Sequence, residues 1–116
     1  GGRVVVVDSA PAPDKADAFN RMERLRDPSH VRAMPPSELA ALFTAVGLSA
    51  PRTTSYRLES ELEALLARSF PKPGAADEIR RLFAASLAND ALGIATRRVG
   101  DSILYGFPVA VLVAGR

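Results

Sequence analysis

The run Gly1-Gly2-Arg3-Val4-Val5-Val6-Val7-Asp8 places four consecutive β-branched apolar residues after two glycines and one arginine. Such a run predicts a strand covered on both faces, as in a parallel α/β sheet, because a half-exposed strand would alternate apolar and polar residues. Asp8 and Ser9 then lie at the carboxyl end of the strand Arg3–Asp8, the edge at which open α/β sheets bind ligands. The run therefore predicts an α/β fold and the edge where a site belongs.

Composition narrows the class of protein. The 116 residues can bury one core, and 47% hydrophobic with 24% charged residues is typical of a globular domain. The absence of cysteine excludes thiolate chemistry, and with a single histidine we expect no metal site. No apolar run approaches the roughly 20 residues of a membrane helix, so we expect no membrane partner and a cytoplasmic location. A net charge of only +2, with arginines scattered among acids, argues against a nucleic-acid partner.

Four helices are predicted from apolar residues at helical spacing. Asp14 is expected to cap the first, which ends at the break Asp27-Pro28-Ser29-His30 because proline disfavours helix at the residue before it. The second ends at Gly47 in a Schellman motif, and a Ser60/Glu63 capping box opens the third. The predicted core faces are Phe19, Met22 and Leu25; Leu39, Leu42, Phe43 and Val46; Leu62, Leu65 and Leu66; and Ile79, Leu82, Phe83 and Leu87.

Three further β segments are predicted. The polar, β-prone segment Arg52 to Leu58 indicates a half-exposed strand near a sheet edge. Ile94 to Arg98 and Ser102 to Tyr105 flank Gly100-Asp101, which predicts a two-residue hairpin turn. Pro108 to Val113 predicts a closing, buried strand.

The acidic end of the first strand has three interpretations. A phosphoreceiver domain needs a second acid beside Asp8, where Ser9 stands, and a phosphoacceptor Asp after a later strand, which the segment ending at Leu58 lacks. A ribose-binding acid of a dinucleotide fold needs a preceding Gly-x-Gly-x-x-Gly turn, which this sequence does not contain. The third interpretation, a late strand of a larger sheet, explains why the strand begins without any lead-in.

A family resemblance supports the third interpretation. The strand entry at Gly1 to Asp8, the stretch Arg26-Asp27-Pro28-Ser29-His30-Val31-Arg32 and the helix ending in Gly47-Leu48 follow one another in this order. Together they resemble the carboxy-terminal part of a class I S-adenosylmethionine-dependent methyltransferase, of the branch that includes the ubiquinone and menaquinone biosynthesis C-methyltransferases. The resemblance covers essentially all 116 residues.

The resemblance implies the carboxy-terminal half of a Rossmann-like, seven-stranded α/β fold with flanking helices. Arg3–Asp8 would be the fifth strand, Arg52–Leu58 the sixth, and Phe107–Ala114 the antiparallel seventh, inserted between the other two. The family binds S-adenosylmethionine through its first four strands, none of which precedes Gly1. We therefore expect residues 1–116 to form the substrate-side part, without cofactor-binding residues and inactive alone.

The resemblance also implies candidate residues for a small-molecule methyl acceptor. Histidine commonly moves protons near neutral pH, so His30 is a candidate catalytic base. Asp8, Ser9, Asp27, His30 and Arg32 are candidates for binding the acceptor. The structural alternative is that Asp27 and His30 only cap the break between two helices, and that Arg32, like Arg26, is a solvated surface residue.

Two function classes remain open. The first is methyl transfer from S-adenosylmethionine to a small-molecule acceptor by the parent protein. The second is a stand-alone small α/β binding or oligomerisation module without catalysis. In either case the first strand has an edge without a predicted neighbour, so we expect a homodimer formed through that edge or the adjoining helices.

Overall fold

The computed structural model describes residues 2–115. Its helices and strands follow one another along the chain as β1 (Arg3–Ser9), α1 (Ala16–Arg26), α2 (Pro36–Ala45), β2 (Arg52–Glu61), α3 (Leu62–Ala67), α4 (Ala75–Asn89), β3 (Arg97–Val99) and β4 (Ser102–Gly115). The α/β class and all four predicted helices are confirmed. None of these helices has the length and hydropathy of a membrane span; the longest, α4, has 15 residues.

The long strand β4 organises the sheet. It pairs antiparallel with β1 on one side and with β2 on the other, giving the order β1-β4-β2, and the short strand β3 pairs with its first residues. β1 and β2 therefore run parallel to each other with an antiparallel strand between them. This is the arrangement that the resemblance implies for the fifth, seventh and sixth strands.

Helices cover the two faces of the sheet unequally. On one face, called the α2 face, Val4, Val6 and Leu112 pack with Leu39 and Phe43 of α2. On the other face, α1, α3 and α4 bury Ile103, Tyr105 and Phe107 of β4 in the larger core cluster. The larger cluster contains three aromatic contacts, between Phe19 and Phe107, between Phe83 and Tyr105, and between Tyr105 and Phe107. The covered part of the second face ends before β1.

The prediction that β1 is covered on both faces is therefore wrong for the described residues. Val4 and Val6 are partly buried on the α2 face, but Val5 and Val7 remain 57% and 56% exposed. The physical reason is that α1, α3 and α4 pack over the opposite end of β4, near its first residues, and no described element lies over Val5 and Val7. β1 is an edge strand with one apolar face in solvent.

The second helix ends as predicted but buries less. Gly47 has φ +84°, its N–H donates to Thr44 O, and Leu48 N donates to Phe43 O, which completes the Schellman motif. Leu39 and Phe43 are buried, whereas the predicted core residues Leu42 and Val46 are 50% and 74% exposed. The helix α2 contacts only the narrow strip of sheet formed by β1 and β4. Leu42 and Val46 lie outside this contact and remain exposed.

Two predicted caps are wrong. The residue before α1 is Lys15, whose side chain makes no capping bond, because a turn joining Lys15 N to Ala12 O leads into the helix in place of an Asp14 cap. At α3 the cap is Glu61, whose carboxylate accepts from the backbone N–H groups of residues 63 and 64. The strand β2 extends three residues beyond the prediction and moves the helix start away from Ser60.

The other β predictions are confirmed with adjusted bounds. Gly100 and Asp101 form the turn between β3 and β4, although Ile94 lies outside the strand. The two segments predicted for the end of the chain form one continuous strand, Ser102–Gly115, that passes through Gly106. β2 lies at a sheet edge as predicted, with residues 52–59 all exposed.

Candidate functional site: the strand-end cleft and the His30 network

A cleft of about 510 Å³ opens at the carboxyl end of β1, and we call it the strand-end cleft. It is lined by Ala10, Ala12 and Pro13 after β1, Pro36 at the start of α2, residues 55–57 of β2, Gly93, and Pro108 of β4. Ala10 N donates to Pro108 O over 2.8 Å, which ties the segment after β1 to the sheet. The position agrees with the rule that open α/β sheets bind ligands outside the carboxyl ends of their strands.

Arg57 is the one charged residue in the lining of the strand-end cleft. Its Nη1 donates to Gly93 O over 2.9 Å and to Gly106 O over 2.8 Å, so two main-chain carbonyls fix the guanidinium. Gly106 makes room for this side chain, because a Cβ there would lie 3.0 Å from Arg57 Cβ. The carbonyls hold the cation without neutralising it.

A second polar centre, the His30 network, lies where α1 ends and the chain crosses toward α2. Asn20 is buried within α1 and donates through Nδ2 to Ala16 O at 2.8 Å and Ala33 O at 2.9 Å. Its Oδ1 accepts from Ala33 N at 2.6 Å and contacts His30 Nε2 at 2.8 Å. Both hydrogen atoms and both lone pairs of the amide are therefore used.

This network decides the tautomer of His30. The paired bonds to Ala33 N and Ala33 O fix which end of the Asn20 amide is oxygen, so the group facing His30 is an acceptor. His30 Nε2 must therefore carry a hydrogen, and in the neutral ring the lone pair lies on Nδ1. The described residues form no hydrogen bond with Nδ1, which leaves this nitrogen available to accept a proton.

Asp27 binds its own loop and not the imidazole. Its Oδ1 accepts from the Ser29 hydroxyl at 2.7 Å and from Ser29 N at 3.0 Å, and its main-chain carbonyl accepts from His30 N. The two hydrogen bonds from Ser29 hold the pKa of the Asp27 carboxyl below its ordinary value. This geometry closes the break after α1 in a tight loop.

The remaining predicted residues lie apart from the cleft lining. Asp8 is exposed, and its Oδ1 accepts from Ser9 N at 2.8 Å; both residues immediately precede Ala10, the first residue of the lining. Arg32 forms a two-bond ion pair with Glu38 at 2.8 and 3.1 Å, which lowers the pKa of the Glu38 carboxyl. The structure thus brings His30 to Asn20 and leaves Asp8, Asp27 and Arg32 in separate places.

Two further cavities lack the position and the fixed arginine of the strand-end cleft. A groove of about 210 Å³ between α2 and β1, lined by Val4, Val6, Leu42, Phe43, Val46 and Leu48, is almost entirely apolar. A cavity of about 220 Å³ lies beside Pro28 and is lined by Arg24, Leu25, Lys72 and Ala75. Neither lies at the carboxyl end of β1, and none of the three cavities is lined by His30 or Asp27.

Asn20 and Arg57 are the polar residues that sequence reasoning missed. Asn20 carried a usable signal, since asparagine is a poor helix former and here stands beside Phe19 on the apolar stripe of α1, where a buried hydrogen-bond network is the usual reason. Glu23, also buried on this helix, pairs with Arg26 over 2.6 Å. Burial of Arg26 opposes its charge, but Glu23 outweighs this effect and raises the Arg26 pKa. Arg57 carried no signal, because its partners are main-chain carbonyls of distant residues.

Solved structures of other proteins resemble this chain over nearly its whole length. No family model matches the sequence, and no curated protein matches it. The solved structure of YcgJ from Bacillus subtilis superposes with a TM-score of 0.79 at 25% identity, covering 97% of this chain and 50% of that one. A "putative methyltransferase" from Bacillus halodurans superposes with a TM-score of 0.80 at 16% identity, covering 98% of this chain and 55% of that one.

The chain has a methyltransferase-like fold. It spans about half the length of the solved structures that it matches, and the match extends over nearly all of its own residues. The predicted resemblance in fold is therefore confirmed. Within this methyltransferase-like fold, the strand-end cleft occupies the carboxyl edge of the sheet, and the His30 network lies on the connection that leads to it.

Proposed function

We propose that this chain is the acceptor-side, carboxy-terminal part of an S-adenosylmethionine-dependent methyltransferase that acts on a small molecule. The observation that carries the proposal is the β1-β4-β2 order with an antiparallel middle strand, together with the TM-score of 0.80 to a "putative methyltransferase" about twice as long as the chain. Residues 2–115 are inactive alone in this proposal. A cytoplasmic location and the absence of nucleic-acid and membrane partners belong to the same proposal.

In this proposal the described residues do not supply the site for S-adenosylmethionine. Binding its ribose hydroxyls calls for a carboxylate acceptor, yet no acid lines the strand-end cleft, and Asp8 accepts a hydrogen bond from its own neighbour Ser9. The nearest acid on β2, Glu59, forms an ion pair with Arg97 at 2.7 Å. We therefore place the cofactor on parts of the protein outside this chain and assign the strand-end cleft to the acceptor.

The chain's own residues supply positioning and proton transfer. An acceptor in the strand-end cleft is held against apolar walls that exclude water, which provides the orientation on which a displacement reaction depends. His30 lies outside the cleft lining, so in this proposal it takes a proton on Nδ1 only from an acceptor that extends to it or when the loop Asp27 to Arg32 closes, while Nε2–H stays bonded to Asn20. Asn20 also holds Ala33, three residues before Pro36 of the cleft lining, so one amide anchors both the base and the cleft wall.

The other candidate residues complete the proposal. Asp8 and Ser9 lie at the rim, next to Ala10, where they can contact the polar part of an acceptor. The loop Asp27 to Arg32 acts as a lid whose closed shape depends on the Asp27–Ser29 bonds. Arg32 contacts an acceptor in this scheme only after leaving Glu38. The chain associates as a homodimer through the free edge of β1 or the adjoining helices.

Methyl transfer by the full-length protein tests the proposal directly. The assay follows transfer of a labelled methyl group from S-adenosylmethionine to small-molecule acceptors, with calorimetric titration of the cofactor into the same protein. We expect binding and transfer by the full-length protein and no micromolar binding of S-adenosylmethionine to the 116-residue chain alone. A full-length protein that neither binds the cofactor nor transfers its methyl group would disprove the proposal.

A further inference from the structure

The guanidinium of Arg57 has N–H groups that form no hydrogen bond with any described residue. Its Nη1 uses both hydrogens on Gly93 O and Gly106 O, whereas Nε and Nη2 form no hydrogen bond with any described residue. Nε and Nη2 together make up the side edge of the guanidinium, which carries parallel N–H groups matched to the two oxygens of a carboxylate. The side chain is thus fixed at one end and uncommitted at the end that recognises carboxylates.

Arg57 has a carboxylate nearby but forms no ion pair with it. No carboxylate among residues 2–115 forms an ion pair with Arg57, although seven such pairs occur in that part of the chain. Glu59 follows two residues later on the same face of β2, but its carboxylate is taken by Arg97 at 2.7 Å. Glu59 Oε1 lies beside Gly106, as the Arg57 side chain does, but it forms no ion pair with Arg57, whose Nε and Nη2 remain for a ligand.

The other residues of the cleft lining indicate what the uncharged part of such a ligand is like. Alanine and proline residues supply most of the walls, with the half-exposed ring of Tyr56 and the hydroxyl of Ser55 beside Arg57. A volume of about 510 Å³ accommodates a single ring with short substituents, since ligand pockets usually range from about 300 to 1,000 Å³. One cation suits a singly charged group better than a phosphate, whose charge of about −1.5 to −2 calls for further cations.

From these observations we propose that the strand-end cleft binds a small carboxylic acid with an apolar, ring-sized body, whose carboxylate is held by Nε and Nη2 of Arg57. This inference deepens the proposed function, because it names the substrate class of the same cleft, and in that respect it rests on it. The binding itself needs neither cofactor nor turnover. Gly106 belongs to the site in a positioning role, since a side chain there would displace Arg57.

Benzoate and its neutral analogue benzamide are the probes, titrated into the full-length protein by calorimetry without S-adenosylmethionine. We expect benzoate to bind at least about tenfold more tightly than benzamide, because hydrogen bonds between two charged groups are stronger than those to a neutral amide. Arg57→Gln should abolish this preference, and Arg57→Lys should reduce it, since lysine keeps the charge but loses the two-pronged geometry. Arg52→Gln is the matched control, because Arg52 is exposed on the same strand but points to the opposite face.

The outcomes separate this inference from the proposed function. Equal binding of the two probes, no binding of benzoate, or an unchanged preference in Arg57→Gln would overturn the inference even in an active methyltransferase. If Arg57→Gln fails to fold, as judged by its melting curve, a full preference in Arg57→Lys would overturn it instead. A benzoate preference that depends on Arg57 in a protein without methyl transfer would sustain the inference and refute the proposed function.

Discussion

The side-chain amide of Asn20 fixes the proton of His30 on Nε2. The 2.8 Å contact between Asn20 Oδ1 and His30 Nε2 has only one polarity, because Ala33 N and Ala33 O orient the amide. A buried residue of α1 thereby determines the chemistry available to a loop residue ten positions later. The same amide also holds Ala33, in the segment that leads to α2. Loss of the amide should therefore lower the stability of the fold and affect any activity of His30.

Replacing Asn20 should destabilise the fold far more than replacing His30. Asn20→Leu leaves the buried N–H and C=O of Ala33 without partners, which we expect to lower the free energy of unfolding by about 2–4 kcal/mol. His30→Ala removes a single hydrogen bond and should cost about 1 kcal/mol or less. Urea denaturation of the two variants measures the difference. Equal losses would show that the amide is not the centre of the network.

Replacing His30 should reduce turnover while leaving the fold intact. In the full-length protein, His30→Ala should lower kcat/KM for methyl transfer by at least about 10², the lower end for loss of a positioned base. The melting temperature should stay nearly unchanged, because His30 lies at the surface of the network. Arg98→Ala, at an exposed residue of β3 outside the proposed site, is the control and should keep most of the activity. A His30→Ala enzyme with full activity and reduced stability would support the capping interpretation instead.

The Asp27 carboxyl gives a pH dependence of known sign. Its pKa in the fold lies below the ordinary 3.8 because Ser29 donates two hydrogen bonds to the charged form. Its contribution to stability is therefore complete above pH 3.8 and is lost as the pH falls through the lowered pKa. Ser29→Ala should move this pKa up toward 3.8, as followed by the carboxyl carbon in an NMR titration. Ser37→Ala, an exposed serine in α2, should leave it unchanged; no shift in Ser29→Ala would contradict the assignment.

Gly47 should resist substitution for reasons of backbone alone. Its φ of +84° lies in the left-handed region, and the space that a Cβ would occupy has no other atom within 4 Å, so an alanine would meet strain but no clash. Gly47→Ala should lower the free energy of unfolding by about 1–2 kcal/mol. Gly115→Ala is the matched control, because Gly115 has equally open surroundings without a positive φ. Thermal unfolding of both variants checks the difference, and equal effects would refute it.

The elements that sequence reasoning predicted correctly depend on neighbours close along the chain. The Gly47 ending of α2, the Pro28 break and the Gly100-Asp101 turn are set by backbone preferences that a single sequence reveals. Exposure of Val5 and Leu42 could not be predicted in the same way, because it depends on where distant helices stop covering the sheet. The hydrophobicity of these residues indicated burial. Only the packing of the helices shows which apolar side chains are covered.

The candidate site was predictable in part for the same reason. His30 stood out as the only histidine, and the carboxyl end of β1 stood out from the strand pattern. The partner of His30 lies ten residues earlier on a helix, and Arg57 is fixed by carbonyls 36 and 49 residues away. Main-chain carbonyls exist at every residue, so no pattern of residue types could identify the two carbonyls that fix Arg57.

The free edge of β1 should make the 116-residue chain self-associate. Among the described residues β1 pairs only with β4, so its outer edge presents unpaired N–H and C=O groups beside the exposed Val5 and Val7. Such an edge is a template for a further strand, and a second copy can satisfy it by antiparallel pairing across a two-fold axis. We therefore expect a dimer at micromolar concentration in sedimentation velocity.

A lysine pair on the exposed face of β1 should prevent this association. Val5→Lys combined with Val7→Lys places two charges beside the pairing edge, a device by which natural sheets avoid edge-to-edge contact, and should yield a monomer. Val99→Lys is the matched control, because Val99 is equally exposed, at 56%, but lies in β3 near the opposite end of β4. It should leave the dimer intact. A monomeric unmodified chain, or equal dissociation by Val99→Lys, would show that β1 is not the interface.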